Sequence, residues 1–137
     1  MKKYLFIIAF LAFVFASCRY RESNICVQNK LPKVILKNVE WGGLAIRNQI
    51  LPGQTSEQIT LCENETYRGV KLPASFPLKF YISVNSDLVY VETVASFHLG
   101  IDEDVQIVIC DTTRVINPLL EKKMTLRNML KMEDDGR

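Results

Sequence analysis

The sequence predicts an all-β domain, a small antiparallel β-sandwich of six or seven strands with a short helix near its C-terminal end. Two observations carry this. Apolar residues recur at every second position in several short runs, most clearly in "FPLKFYISV", where Phe76, Leu78, Phe80, Ile82 and Val84 share one side of an extended chain. Turn-forming residues punctuate those runs, and little helical patterning interrupts them, so the layered solution is a sheet packed on a sheet, immunoglobulin-like or related.

The chain opens on a different pattern. Lys2 and Lys3, the apolar run "YLFIIAFLAFVFA" and the small residues Ala16 and Ser17 are the three parts of an export signal over residues 1–17. A spanning helix needs roughly 20 apolar residues, and Arg19 and Arg21 end this stretch too soon. Cys18 follows at once, and "FASC" resembles the lipobox of bacterial lipoproteins, with Phe15 where that class usually has an aliphatic residue. The resemblance implies acylation of the Cys18 thiol, cleavage before it and an anchor of two or three acyl chains. Such an anchor is stable where a single chain, at ~0.8 kcal/mol per buried CH₂, is marginal. The alternative is ordinary cleavage after Ala16 or Ser17, with Cys18 a plain residue.

From position 18 onward 120 residues remain, enough for one domain with one core. The chain carries 17 basic and 15 acidic residues, but Lys2 and Lys3 leave with the signal. A balanced charge of this kind gives no electrostatic case for a nucleic-acid partner. Residues 18–33 are expected as a lipidated terminus and polar tether, because "RYRESNICVQNKLPK" shows no clear period.

The sandwich is expected over residues 34–117. "VILKNVEW" is rich in β-branched and apolar residues, and Gly42 and Gly43 mark a turn after it. "LAIRNQIL" sets Leu44, Ile46 and Ile50 on one side, with Asn48 interrupting, and "EQITLC" alternates through Ile59 and Leu61. A turn through residues 85–87 joins "FPLKFYISV" to "LVYVETVA" as a hairpin. "VQIVIC" aligns Val105, Ile107 and Ile109, and "TRVIN" adds a short closing strand. Residues 118–137 are expected as a helical or disordered tail. Asn117 and Pro118 resemble a helix start, and Leu126, Met129 and Leu130 recur at helical spacing.

Candidate chemistry is sparse. Cys62 and Cys110 each end an expected strand and form the candidate disulfide, with Cys26 left over; unpaired thiols are the alternative. No C-x-x-C spacing marks a redox or zinc site. His98 is the single histidine, and no G-x-S-x-G elbow, S-x-x-K motif or glycine-rich phosphate loop is present, so no catalytic residue, metal or cofactor is assigned. Asp102, Glu103 and Asp104 read as a solvated hairpin turn. "NET" at Asn64 matches an N-glycosylation pattern and "DTT" at Asp111 resembles a bacterial O-glycosylation sequon. Trp41, beside two glycines at a hairpin tip, and Tyr90, on the face of its strand opposite Val89 and Val91, are the candidate binding surface; the other reading of Trp41 is a lid over one end of the core.

Taken together, "NVEWGG", "LPGQTS", "FPLKFYI", "VYVET" and "DTTRVINP" resemble the strand-and-turn texture of small uncharacterised lipoproteins of Gram-negative envelopes. The resemblance implies a lipid-anchored address at the outer membrane. "RYRES" lacks an acidic run after Cys18, which points the domain to the periplasm. Two functions fit: a non-enzymatic binding or assembly module for an envelope protein or glycan, which is preferred, and an envelope glycan or peptide hydrolase using paired carboxylates.

Overall fold

The structure, a computed structural model, describes residues 3–4, 20–84, 86–118 and 122–135. The segment expected as an export signal, except Lys3 and Tyr4, and Cys18 lie outside the described residues. Among the described residues no helix is long and apolar enough to cross a membrane.

Among residues 20–135 as described, nine strands and a helix follow in order: β1 (Glu22–Asn29), β2 (Ile35–Trp41), β3 (Leu44–Ile50), β4 (Ile59–Cys62), β5 (Ala74–Val84), β6 (Asp87–Leu99), β7 (Asp104–Ile109), β8 (Arg114–Asn117), β9 (Lys122–Thr125) and α1 (Leu126–Asp135). They make an all-β sandwich of two sheets. The larger sheet has the order β3-β2-β5-β6-β8-β9, and the smaller β4-β1-β7. Every pairing is antiparallel except β1 with β7, which run parallel.

The expected alternation builds the core. Leu78, Phe80 and Ile82 of β5, Leu36, Val39 and Trp41 of β2 and Leu44, Ile46 and Ile50 of β3 line the inner face of the larger sheet. Ile25 and Val27, Leu61, and Ile107 and Ile109 come from the smaller one. Each such side chain taken fully from water contributes roughly 1.5–3 kcal/mol. The two hairpins legible in the sequence are present. Gly42 and Gly43 turn β2 into β3 with φ of +60° and +85°. Gly42 is required twice over, because a Cβ there would lie 2.3 Å from a Phe76 ring carbon. That ring stands edge-on to Trp41, at 5.3 Å and 84°.

Several expectations change. Residues 22–29, assigned to a tether, form β1, the central strand of the smaller sheet, so the sandwich begins before position 34. The inward positions of β1 are Ser23, Ile25, Val27 and Asn29, all buried. Its polar ends disguise the period, and distant partners satisfy them: Ser23 Oγ donates to the Gly100 carbonyl at 2.7 Å and accepts from Glu103 N at 3.2 Å. Strands β1 and β9 bring the number to nine rather than six or seven. The Asp102–Asp104 segment is not a hairpin turn; it carries the chain from β6 in one sheet to β7 in the other. Nor does the helix start at Pro118. Asn117 ends β8 and is buried, while the helix starts at Leu126, where Thr125 Oγ1 accepts from Asn128 N at 3.3 Å.

Candidate functional site

Among the described residues β3 has one strand neighbour, β2, so on its other side no described strand pairs with its backbone N–H and C=O groups. The two-residue Gly42–Gly43 turn makes Trp41–Leu44 the closing pair, which exchanges both ladder bonds. The next pair, Glu40–Ala45, therefore turns the Ala45 N–H and C=O outward. The register then shifts: Glu40 pairs with Ala45 but Val39 with Arg47, so Ile46 is the extra residue of a bulge on β3.

Along this edge runs an open groove of about 620 Å³, lined by residues 45–49, Leu51 and Gln54. Among the described residues its lining is amide-rich, and Arg47 is the one charged residue in it. Arg47 meets Glu57 of the β3–β4 loop at 3.1 Å, and the Glu57 side chain is 86% exposed. Asn48, at the same sequence parity as Leu44, Ile46 and Ile50, is exposed and lines the groove.

Buried polar groups fix the loop that follows β3. Asn29 donates from Nδ2 to the carbonyls of Val34 and Ile50 at 2.8 and 3.1 Å, and its Oδ1 accepts from Leu31 N at 3.0 Å. Its backbone carbonyl accepts from Gly53 N at 2.8 Å, and its N–H donates to the Gln54 carbonyl at 2.9 Å. Gln54 Oε1 closes the turn by accepting from Leu51 N at 3.1 Å. Two residues on, buried Ser56 accepts from Val27 N at 2.9 Å. The loop that follows β3, which contributes Leu51 and Gln54 to the groove, is thus tied to Asn29 by hydrogen bonds.

A second cleft of about 350 Å³ lies where β6 and β8 meet Val108, lined among others by Val94, Phe97 and Arg114. Among the described residues neither cleft has a carboxylate in its lining. Among the described residues no group of three or more His, Cys, Asp or Glu is placed to hold a metal ion.

The residues singled out in the sequence do not gather at one place. Trp41 is not a surface residue: it is 0% exposed, and its indole N–H donates to the Phe97 carbonyl at 3.2 Å. The glycines beside it admit the Phe76 ring, which shuts it in. Tyr90 is half-buried on the outer face of the larger sheet, its ring tilted against Tyr81 at 5.2 Å. Burial pushes the Tyr90 phenol up, against the opposing effect of Lys79.

The Cys62–Cys110 disulfide is absent, and both thiols are free, as is that of Cys26. Strand β1 lies between their strands, with Cys62 opposite Glu22 and Ile109 opposite Asn29. The cysteines thus sit at opposite ends of β1, roughly 25 Å apart at 3.3 Å per residue, far beyond a bridge's reach. The Cys110 thiol is lowered, chiefly by the hydroxyl of Thr112, whose Oγ1 is 3.1 Å from Sγ. His98 is exposed on β6, and Glu103 accepts from Gly100 N at 2.7 Å, so the acidic segment is partly engaged in holding its own loop.

The edge residues Arg47, Asn48, Gln49, Leu51 and Gln54 were not singled out for a site. Their one sequence signal is Asn48 breaking the alternation of "LAIRNQIL". No protein-family model, no curated protein and no solved structure matches this chain.

Proposed function

We propose that this chain is a lipid-anchored cell-envelope protein, held through Cys18 at the outer membrane and facing the periplasm, and that it works as a non-enzymatic binding or assembly module. The free edge of β3 and its groove are the surface that holds the partner. One observation carries the reading: an uncovered strand edge beside an open groove whose lining includes backbone, amides and one arginine. Such an edge recognises an extended segment through main-chain hydrogen bonds and needs no reactive side chain. The address rests on the residue pattern before and at Cys18.

The test uses the natively acylated full chain as bait in a mild-detergent envelope extract, beside the variant Ala45→Pro. Proline at 45 removes an outward N–H without taking a ladder bond from β2. Emission from Trp41, the single tryptophan, reports whether the variant is folded. A partner captured by the parent and lost with folded Ala45→Pro is the expected result; equal capture by both removes the edge from the account. Mass spectrometry of the same material must show acyl chains on Cys18, and a bare thiol there would end the claim of an anchor.

A further inference from the structure

We propose that the groove beside β3 takes an extended segment of a different protein, laid antiparallel to β3, with an acidic side chain set against Arg47 and an apolar one against Leu51. This rests on the β3-edge reading above and adds the chemistry of the occupant. The free backbone edge sets the occupant's conformation, since only an extended chain meets successive N–H and C=O groups of a strand. At about 3.4 Å per residue, the five residues 45–49 offer room for a segment of similar length.

Charge sets its side chain. Among the described residues Arg47 is the one charged residue lining the groove, and its partner Glu57 comes from the protein's own loop. That pair is exposed on both sides, with side chains 41% and 86% accessible, so a carboxylate from the occupant exchanges with Glu57 at little cost. Glu57 therefore serves as an internal stand-in for the acid of the partner. The amides of Asn48, Gln49 and Gln54 can donate or accept toward neutral neighbours, and exposed Leu51 offers an apolar contact at the far end. In antiparallel register the apolar residue precedes the acid in the partner's sequence. A second copy of this chain does not meet the requirement through its own β3, because "LAIRNQI" contains no acid.

The test is fluorescence anisotropy with blocked, fluorescein-labelled peptides of alternating Thr and Val, with Leu near the start and Asp, Asn or Lys near the middle. The parent protein is expected to bind the Asp peptide about fivefold more tightly than the Asn peptide, and the Lys peptide most weakly, with the spread shrinking at high salt. Arg47→Glu should invert the order of Asp and Lys, and Glu57→Gln should tighten the Asp peptide about two- to fivefold. Both substitutions are at exposed side chains, and Trp41 emission checks the fold. Equal binding of all three peptides to the parent and to Arg47→Glu overturns the acidic occupant while leaving the edge reading intact. Failure of every peptide to bind also overturns the proposal; the edge reading falls with it only if Ala45→Pro leaves envelope capture unchanged.

Discussion

Replacing Asn29 by alanine should unfold the protein more readily than its size suggests. The side chain makes three hydrogen bonds within a fully buried position, and its loss strands the carbonyls of Val34 and Ile50 and the N–H of Leu31. A buried group left without its partner costs about 1–3 kcal/mol. Pro32 and Lys33, in the connecting loop, are exposed, so water can reach part of this cluster after relaxation. The low end of the range then applies, giving a loss of about 3–5 kcal/mol out of the ~5–15 kcal/mol typical of a domain. Urea unfolding followed by Trp41 emission measures it. With a slope of about 2 kcal/mol per molar, the midpoint should fall by roughly 2 M while the slope holds. Looser anchoring of Ile50 should also raise amide exchange at Gly53 and Gln54, on the rim of the groove. A midpoint moved by less than about 0.5 M would mean that the three bonds are replaced by water at no net cost, and the reasoning would fail.

Two further outcomes are expected. Iodoacetamide at about pH 7.5 should label Cys110 before Cys62 or Cys26, because the Thr112 hydroxyl lowers the first thiol while desolvation raises the other two; peptide mapping that finds Cys62 modified first contradicts this order. Arg127 donates to Asp111 and holds its carboxyl below the ordinary value of 3.8, while Arg127 N and Leu126 N donate to the Asp111 and Thr113 carbonyls at 2.9 and 3.0 Å. A carboxylate lowered on folding stabilises above its unfolded pKa and loses that contribution as pH falls through the folded one. The start of α1 should therefore exchange its amides faster as pH drops from about 4 toward 2, after correction for intrinsic rates, and Asp111→Asn should flatten that dependence. A variant with the same pH profile as the parent would show that this pair does not hold the start of α1.

The sequence alone determined where local apolar rhythm and turn chemistry agree. Period two in "FPLKFYISV" and "VQIVIC" placed β5 and β7 with their inward faces, the paired glycines placed the β2–β3 turn, and Leu126, Met129 and Leu130 marked the helix. All-β packing followed, because strands with one apolar face must cover one another. Tertiary structure decided everything that depends on partners far along the chain. Strand β1 was hidden because Ser23 and Asn29 look like loop residues until Gly100, Glu103, Val34 and Ile50 supply their hydrogen bonds. The separation of Cys62 from Cys110 follows from β1 running between their strands, and the burial of Trp41 from the Phe76 ring admitted over Gly42. Above all, the candidate site is an edge. Whether a strand has one neighbour or two is set by the order of strands in the sheet, a long-range property that the residues of β3 do not carry by themselves.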